Sequence, residues 1–141
     1  MSSTIDRRFF LKTAASCAGC MAAGATLQAC GSYDFASLSE PFTIALSDYP
    51  LLSAEAGQVQ LNASVTGFRF PIFVRRTGDT FIALSGECSH QGCAVAREGD
   101  SFHCPCHGAR FNGRGDVTSG PADEALLEFS VQEADGILTV S

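Results

Sequence analysis

Tryptophan is absent from this chain, tyrosine occurs twice, and most of the aromatic surface comes from eleven phenylalanines. Basic charge is short: nine Lys and Arg stand against fifteen Asp and Glu, for a net charge of −6. Binding a phosphate backbone wants a basic face, so this balance speaks against a nucleic-acid partner and suits a protein partner that is itself basic. From Pro41 onward helical periodicity is missing, and there is no repeat and no low-complexity segment, which argues against a helical bundle or a solenoid. At 141 residues the chain has room for one domain, or one domain and a tail. Histidine numbers only three and cysteine seven, yet two of those histidines and four of those cysteines fall in two short stretches.

The amino end is set apart from the rest. "DRRFFLK", residues 6–12, carries the adjacent pair Arg7–Arg8 and precedes an Ala-rich, weakly apolar run, residues 13–29. It resembles a twin-arginine export signal, with small residues that make a poor membrane-spanning helix but a good signal core. The run ends in "LQAC", residues 27–30, which resembles a lipobox and makes Cys30 the candidate for lipidation; an uncleaved signal acting as an anchor is the rival. Cys17 and Cys20 read as small apolar fillers inside the signal. Loss of residues 1–29 takes Arg7, Arg8, Lys12 and Asp6 with it and moves the net charge from −6 to −8. The expected organisation is therefore signal or anchor (1–29), a polar tether (30–40) and one domain (41–141). Such a chain is expected to be exported to the periplasm or cell exterior and to stay at a membrane.

The domain reads as all-β. Short runs rich in Val, Ile, Phe and Thr are cut by turn residues: "FTIAL" (42–46), "QVQLN" (58–62), "RFPIFVRR" (69–76), "TFIALS" (80–85), "AVAR" (94–97), "SFHC" (101–104), "GDVTSG" (115–120), "ALLEFSV" (125–131) and "ILTVS" (137–141). Pro71 suggests that its strand lies at an edge or carries a bulge. "TGD" (77–79) and "EADG" (133–136) read as tight hairpin turns. Antiparallel strands at this spacing predict a barrel or a sandwich.

The two cysteine–histidine stretches are "CSHQGC", residues 88–93, and "CPCHG", residues 104–108. Each offers a thiolate and a neutral imidazole at the end of a strand, followed by a glycine that lets the loop curl. Cys88 and His90 with Cys104 and His107 make a ligand set for tetrahedral zinc or for a two-iron cluster of mixed ligation. His103 reads as a surface residue of its strand.

The pattern C-x-H, thirteen residues, C-x-x-H resembles that of the Rieske iron–sulfur family. The resemblance implies a Rieske-like antiparallel β-barrel or sandwich, with a small subdomain of two loops holding a [2Fe-2S] cluster. One iron would take Cys88 and Cys104, the other His90 and His107. It also implies a disulfide between Cys93 and Cys106, of the kind that joins the cluster loops in exported, quinol-oxidising members such as the cytochrome bc complex subunit. "GPA", Gly120, Pro121 and Ala122, resembles the start of the loop that covers the cluster, with Asp123 where a second Pro often follows.

Three positions depart from the quinol-oxidising pattern. High-potential members follow the second box with Ser and, two residues later, Tyr; here Ala109 and Phe111 stand there, and neither carries a donor. The resemblance then implies a potential in the middle of the family's range of about −150 to +300 mV, with electron uptake coupled to proton uptake at alkaline pH. Gln91 replaces an apolar Leu at the exposed tip, which suits a wet, transient encounter. The leading expectation is an electron-transfer protein that passes single electrons between redox proteins, a cytochrome or a periplasmic oxidoreductase, while tied to a membrane by lipid or by its signal. Its rivals are the Rieske subunit of a quinol–cytochrome c reductase, which would meet quinol through a membrane subunit, and a non-redox zinc module. By itself the domain is expected to catalyse no substrate chemistry. An oxygenase would need two further histidines for a mononuclear iron, and only His103 remains.

Overall fold

The computed structural model describes residues 35–141; the expected signal, the lipidation site at Cys30 and the first part of the tether lie outside the described residues. Among the described residues eleven strands run in chain order: β1 (Phe42–Ala45), β2 (Gln58–Leu61), β3 (Ile72–Thr77), β4 (Thr80–Ser85), β5 (Ala96–Glu98), β6 (Ser101–His103), β7 (Arg110–Phe111), β8 (Val117–Ser119), β9 (Glu128–Phe129), β10 (Val131–Ala134) and β11 (Ile137–Val140). They form three antiparallel sheets, ordered β1-β11-β10, β2-β3-β4-β9 and β5-β6-β7-β8. The all-β architecture expected from the strand spacing is the one observed. Among the described residues no helix is long and apolar enough to cross a membrane.

Successive residues of a strand face opposite sides of its sheet, and β3 uses both. Ile72 and Val74 enter one core with Leu61, Ala83, Phe129, Leu138 and Val140. Phe73 enters a second core with Leu84, Phe102, Phe111 and Leu126. The central sheet is thus buried on both faces, with the β1-β11-β10 sheet on one side and the β5-β6-β7-β8 sheet on the other. Phe73 and Phe102 meet across the second core with ring centroids 4.7 Å apart, a favourable tilted pair.

The hairpin turns follow from their residues. Between Ala134 and Ile137 the turn residues Asp135 and Gly136 have φ of 51° and 79°, as a two-residue turn matched to strand twist requires. Pro71 is a correction. Its strand is interior, paired to both β2 and β4, and the proline sits just before β3 begins. There its missing N–H costs no ladder bond, and its carbonyl accepts from Gly86 N–H at 2.7 Å. Three short turns also escaped the strand pattern: 3-10 turns at Leu46–Asp48 and Pro50–Ser53 and one helical turn, α1 (Ala63–Thr66). Each is too short to carry a helical period.

Candidate metal centre

The two cysteine–histidine stretches close by the same backbone pattern. In the first, Cys88 N–H donates to the Cys93 carbonyl and Gly92 N–H returns to the Cys88 carbonyl, both at 2.8 Å. In the second, Cys104 N–H donates to the Ala109 carbonyl at 2.7 Å and Gly108 N–H returns to the Cys104 carbonyl at 2.9 Å. A glycine four residues after the cysteine makes each return, with φ of 68° at Gly92 and 81° at Gly108, a region in which a side chain is strained. The first loop springs from the end of β4, and Gly86 seats it: a Cβ there would lie 2.6 Å from the Pro71 carbonyl oxygen.

The loops face one another. Cys88 and Cys104 are unpaired and fully buried in the second core. The rings of His90 and His107 meet edge to face, with centroids 4.9 Å apart. Cys93 and Cys106 form the disulfide that the resemblance implied, with an S–S length of 2.04 Å. Cys104 Sγ also lies close to that bridge, the three sulfurs falling within 4.8 Å of one another; the two bridged sulfurs are not thiolate donors. Ala109 and Phe111 are completely buried beside these cysteines. Gly120 and Pro121 are exposed, whereas Ala122 is buried in the second core. Ser89 Oγ donates to the Glu124 carbonyl at 2.6 Å and ties the first loop to the segment that follows Gly120–Ala122. That bond had no signal in the sequence.

Two observations test whether a metal cluster fits. His90 Nδ1 is buried and has no hydrogen-bond partner; a buried imidazole nitrogen left in this way costs desolvation unless something binds it. Burial pushes the Cys88 thiol above its ordinary value, the backbone N–H groups of His90 and Gln91 oppose that shift, and the neighbouring Cys104 thiol adds to it. A bound cation supplies the positive charge that lets such a thiol serve as a thiolate. The residues present therefore fit a group that takes two thiolates and two imidazoles.

Two further side chains differ from expectation. His103 is half-buried rather than on the surface, with its Nδ1 3.9 Å from Glu98 Oε2 and paired across strands with Arg110. Glu87 is buried next to Cys88, and its Oε2 accepts from Ala36 N–H at 2.9 Å. This carboxylate fastens the backbone at Ala36 to the base of the first loop, a long-range contact with no local signature.

Fold and loops together define an iron–sulfur-type β domain. The family model of the Rieske [2Fe-2S] domain matches residues 50–130, and the chain belongs to that family. Its members bind a [2Fe-2S] cluster and transfer electrons. The chain is 44% identical over 72 residues to the carotenoid phi-ring synthase of Chlorobaculum tepidum, covering 50% of this chain and 11% of that protein. It is 36% identical over 72 residues to the cytochrome b6-f complex iron-sulfur subunit of the same organism, covering 50% of this chain and 40% of the relative. The chain thus spans well under two thirds of the curated relatives it matches. Among solved structures, the plasma membrane Rieske protein of Synechocystis PCC 6803 superposes with a TM-score of 0.52 at 27% identity, covering 69% of this chain and 94% of the other.

Proposed function

We propose that this chain is an exported, membrane-tethered one-electron carrier whose cluster is held by Cys88 and Cys104 on one iron and by His90 and His107 on the other. The observation that carries the ligand assignment is the buried, unpartnered Nδ1 of His90 beside two buried, unpaired thiols. When bound, the cluster supplies a site for one electron. The protein's own residues do the rest. The second core keeps water from the cysteine side. His107 is exposed and His90 half-buried, so the imidazole edges form the route by which an electron leaves, and an imidazole can pass a proton at the same surface. The Cys93–Cys106 bridge and the Ser89–Glu124 bond hold the two loops and the segment that follows Gly120–Ala122 in register.

The partners in this reading are redox proteins, a cytochrome or a periplasmic oxidoreductase. Residues 1–29 would direct export by the twin-arginine route. Either a lipid on Cys30 or the uncleaved signal would hold the protein at the membrane, with residues 30–40 as tether. A second reading, the Rieske subunit of a quinol–cytochrome c reductase, is favoured by the b6-f relatives. Gln91, Ala109 and Phe111 weigh against it, since the exposed tip is polar and the two buried positions offer no donor. The test is an EPR-monitored redox titration of the full chain carrying its cluster. A Rieske-type signal at a middling potential supports the carrier; a potential near the top of the family range favours the quinol-oxidising subunit; bound zinc without the signal overturns the cluster assignment. Cys88→Ser and His107→Ala variants should each lose the signal.

A further inference from the structure

Residues 30–141 carry six basic side chains, all of them Arg. Three of the six, Arg75, Arg76 and Arg114, wall one cleft of about 360 Å³. In a chain of net charge −6 that grouping sets the cleft apart from the rest of the surface. It lies at the ends of the strands away from the metal centre. β3 starts at Ile72, next to the Pro71 carbonyl that meets Gly86, and reaches Arg75 and Arg76 toward its other end. Asp100 and Arg114 come from the turns before β6 and after β7, so the cleft is shared by the central sheet and the β5-β6-β7-β8 sheet.

The guanidinium groups are held in place, yet their donors are poorly met. Arg75 keeps 17% of its side-chain exposure, and its carboxylate partner, Asp100, is 80% exposed and 3.8 Å away. Its bond to the Asp100 carbonyl is 3.5 Å long. Both distances exceed the roughly 2.7–3.2 Å of a well-made N–H···O bond, and a guanidinium has several donors to satisfy. Gly113 gives Arg75 its room: a Cβ there would collide with Arg75 Nη1 and lie 2.5 Å from the Asp100 carbonyl oxygen. Arg76 is aimed by backbone carbonyls, donating from Nε to Gly78 at 2.9 Å and from Nη1 to Ser53 at 3.4 Å. Arg114 is exposed, on a turn pinned by Asn112 Oδ1, which accepts from the Arg114 N–H at 2.8 Å. Glu55, the other acid of the cleft, accepts from the Gly78 N–H at 3.3 Å. Among the described residues no carboxylate pairs with Arg76 or Arg114.

We propose that this cleft binds a small oxyanion, a phosphate or a carboxylate, between the guanidinium groups of Arg75 and Arg114, with Arg76 at its wall. A guanidinium presents parallel N–H groups that match the oxygens of either anion. The half-burial of Arg75 favours the pairing, because charges partly shielded from water are screened less by salt. The volume lies at the small end of ligand cavities and suits inorganic phosphate or a short di-acid. The site joins two sheets and uses none of the residues around the metal centre.

The experiment is an amide NMR titration of the full chain carrying its cluster, with sodium phosphate and, separately, sodium succinate, at an ionic strength held constant with sodium chloride. At least one anion should give saturable shifts at the Asp100, Gly113 and Arg114 amides, with a Kd on the order of 1 mM or tighter. The tighter of the two names the oxyanion class. Arg75→Gln and Arg114→Gln should each weaken binding about ten- to a hundredfold, the worth of one charge-assisted hydrogen-bonded pair. Gly113→Ala keeps every charge and should weaken it by about tenfold or more, since the added methyl displaces Arg75. Arg97→Gln, on β5 and outside the cleft, should change nothing. Arg114 is exposed, so its replacement tests the site in a folded protein whatever Arg75→Gln does to the fold. A titration with no saturable shift at these amides up to about 10 mM of either anion overturns the site. Undiminished binding in Arg114→Gln overturns it as well. Equal weakening in Arg97→Gln and Arg114→Gln also overturns it, because diffuse charge then draws the anion.

Discussion

Replacing both Cys93 and Cys106 with Ala should lower the stability of the loaded protein by an amount that the chain itself sets. The bridge spans a sequence separation of 13 residues. Freeing a loop of that length in the unfolded chain corresponds to about 3 kcal/mol in the chain-entropy account of disulfides. The bridge joins the two loops at their exposed crown rather than inside the core, so its removal leaves no large cavity to add to that figure. For a domain of this size, about 3 kcal/mol corresponds to a fall in Tm of about 12–15 °C, or of about 1.5 M in urea midpoint. Both cysteines are replaced together because one left alone would be a thiol beside Cys104. The assay is circular dichroism of loaded protein, by heat and by urea, with visible absorbance followed in parallel. Loss of colour should coincide with unfolding in the parent and precede it in the variant, because the loops separate first. A Tm change below about 4 °C, a third of the low end of the expected fall, would refute the reasoning and mean that the Ser89–Glu124 bond and the second core already hold the loops together.

Three other outcomes can be measured. Ala109→Ser and Phe111→Tyr, combined, should raise the reduction potential by on the order of 100 mV, part of the differential worth of two hydrogen bonds to sulfur; an EPR redox titration unchanged within error would mean that neither hydroxyl reaches the cluster. Ser89→Ala removes the 2.6 Å bond to the Glu124 carbonyl and should cost about 1 kcal/mol, read as faster loss of visible absorbance under chelator; an unaltered rate would show that the stretch from Gly120 to Glu124 is held by Ala122 alone. Gln58 is buried and both its side-chain polar atoms lack a partner, so Gln58→Met should stabilise the domain by about 1–2 kcal/mol, and a lower urea midpoint would contradict that account.

The chemistry of this protein was legible in sequence because it is local. Both ligand stretches pack their donors within six residues, and the glycine four positions after each leading cysteine already announces a loop that folds back on itself. Strand positions were legible for the same reason: β4 follows "TFIALS" residue for residue, and the Asp135–Gly136 turn follows from residues that tolerate positive φ. Proline chemistry was read correctly but placed on the wrong strand type, since whether β3 is an edge depends on β2, a segment with no local link to it.

Only the tertiary structure decided what lies far apart in the chain. β1 pairs with β11 at the opposite end of the domain, and β3 buries Ile72 and Val74 in one core and Phe73 in another; a run apolar on both faces does not say how many layers it joins. The half-burial of His103, the tie from Glu87 to Ala36 and the closeness of Cys104 to the bridge likewise come from the packing of separate segments. Sequence settles which atoms are available to bind and react, because residue identity and short spacing are covalent facts. Packing settles which of those atoms are dry, which are paired and which can touch, because long-range contacts form only where burial outweighs the entropy of bringing distant segments together.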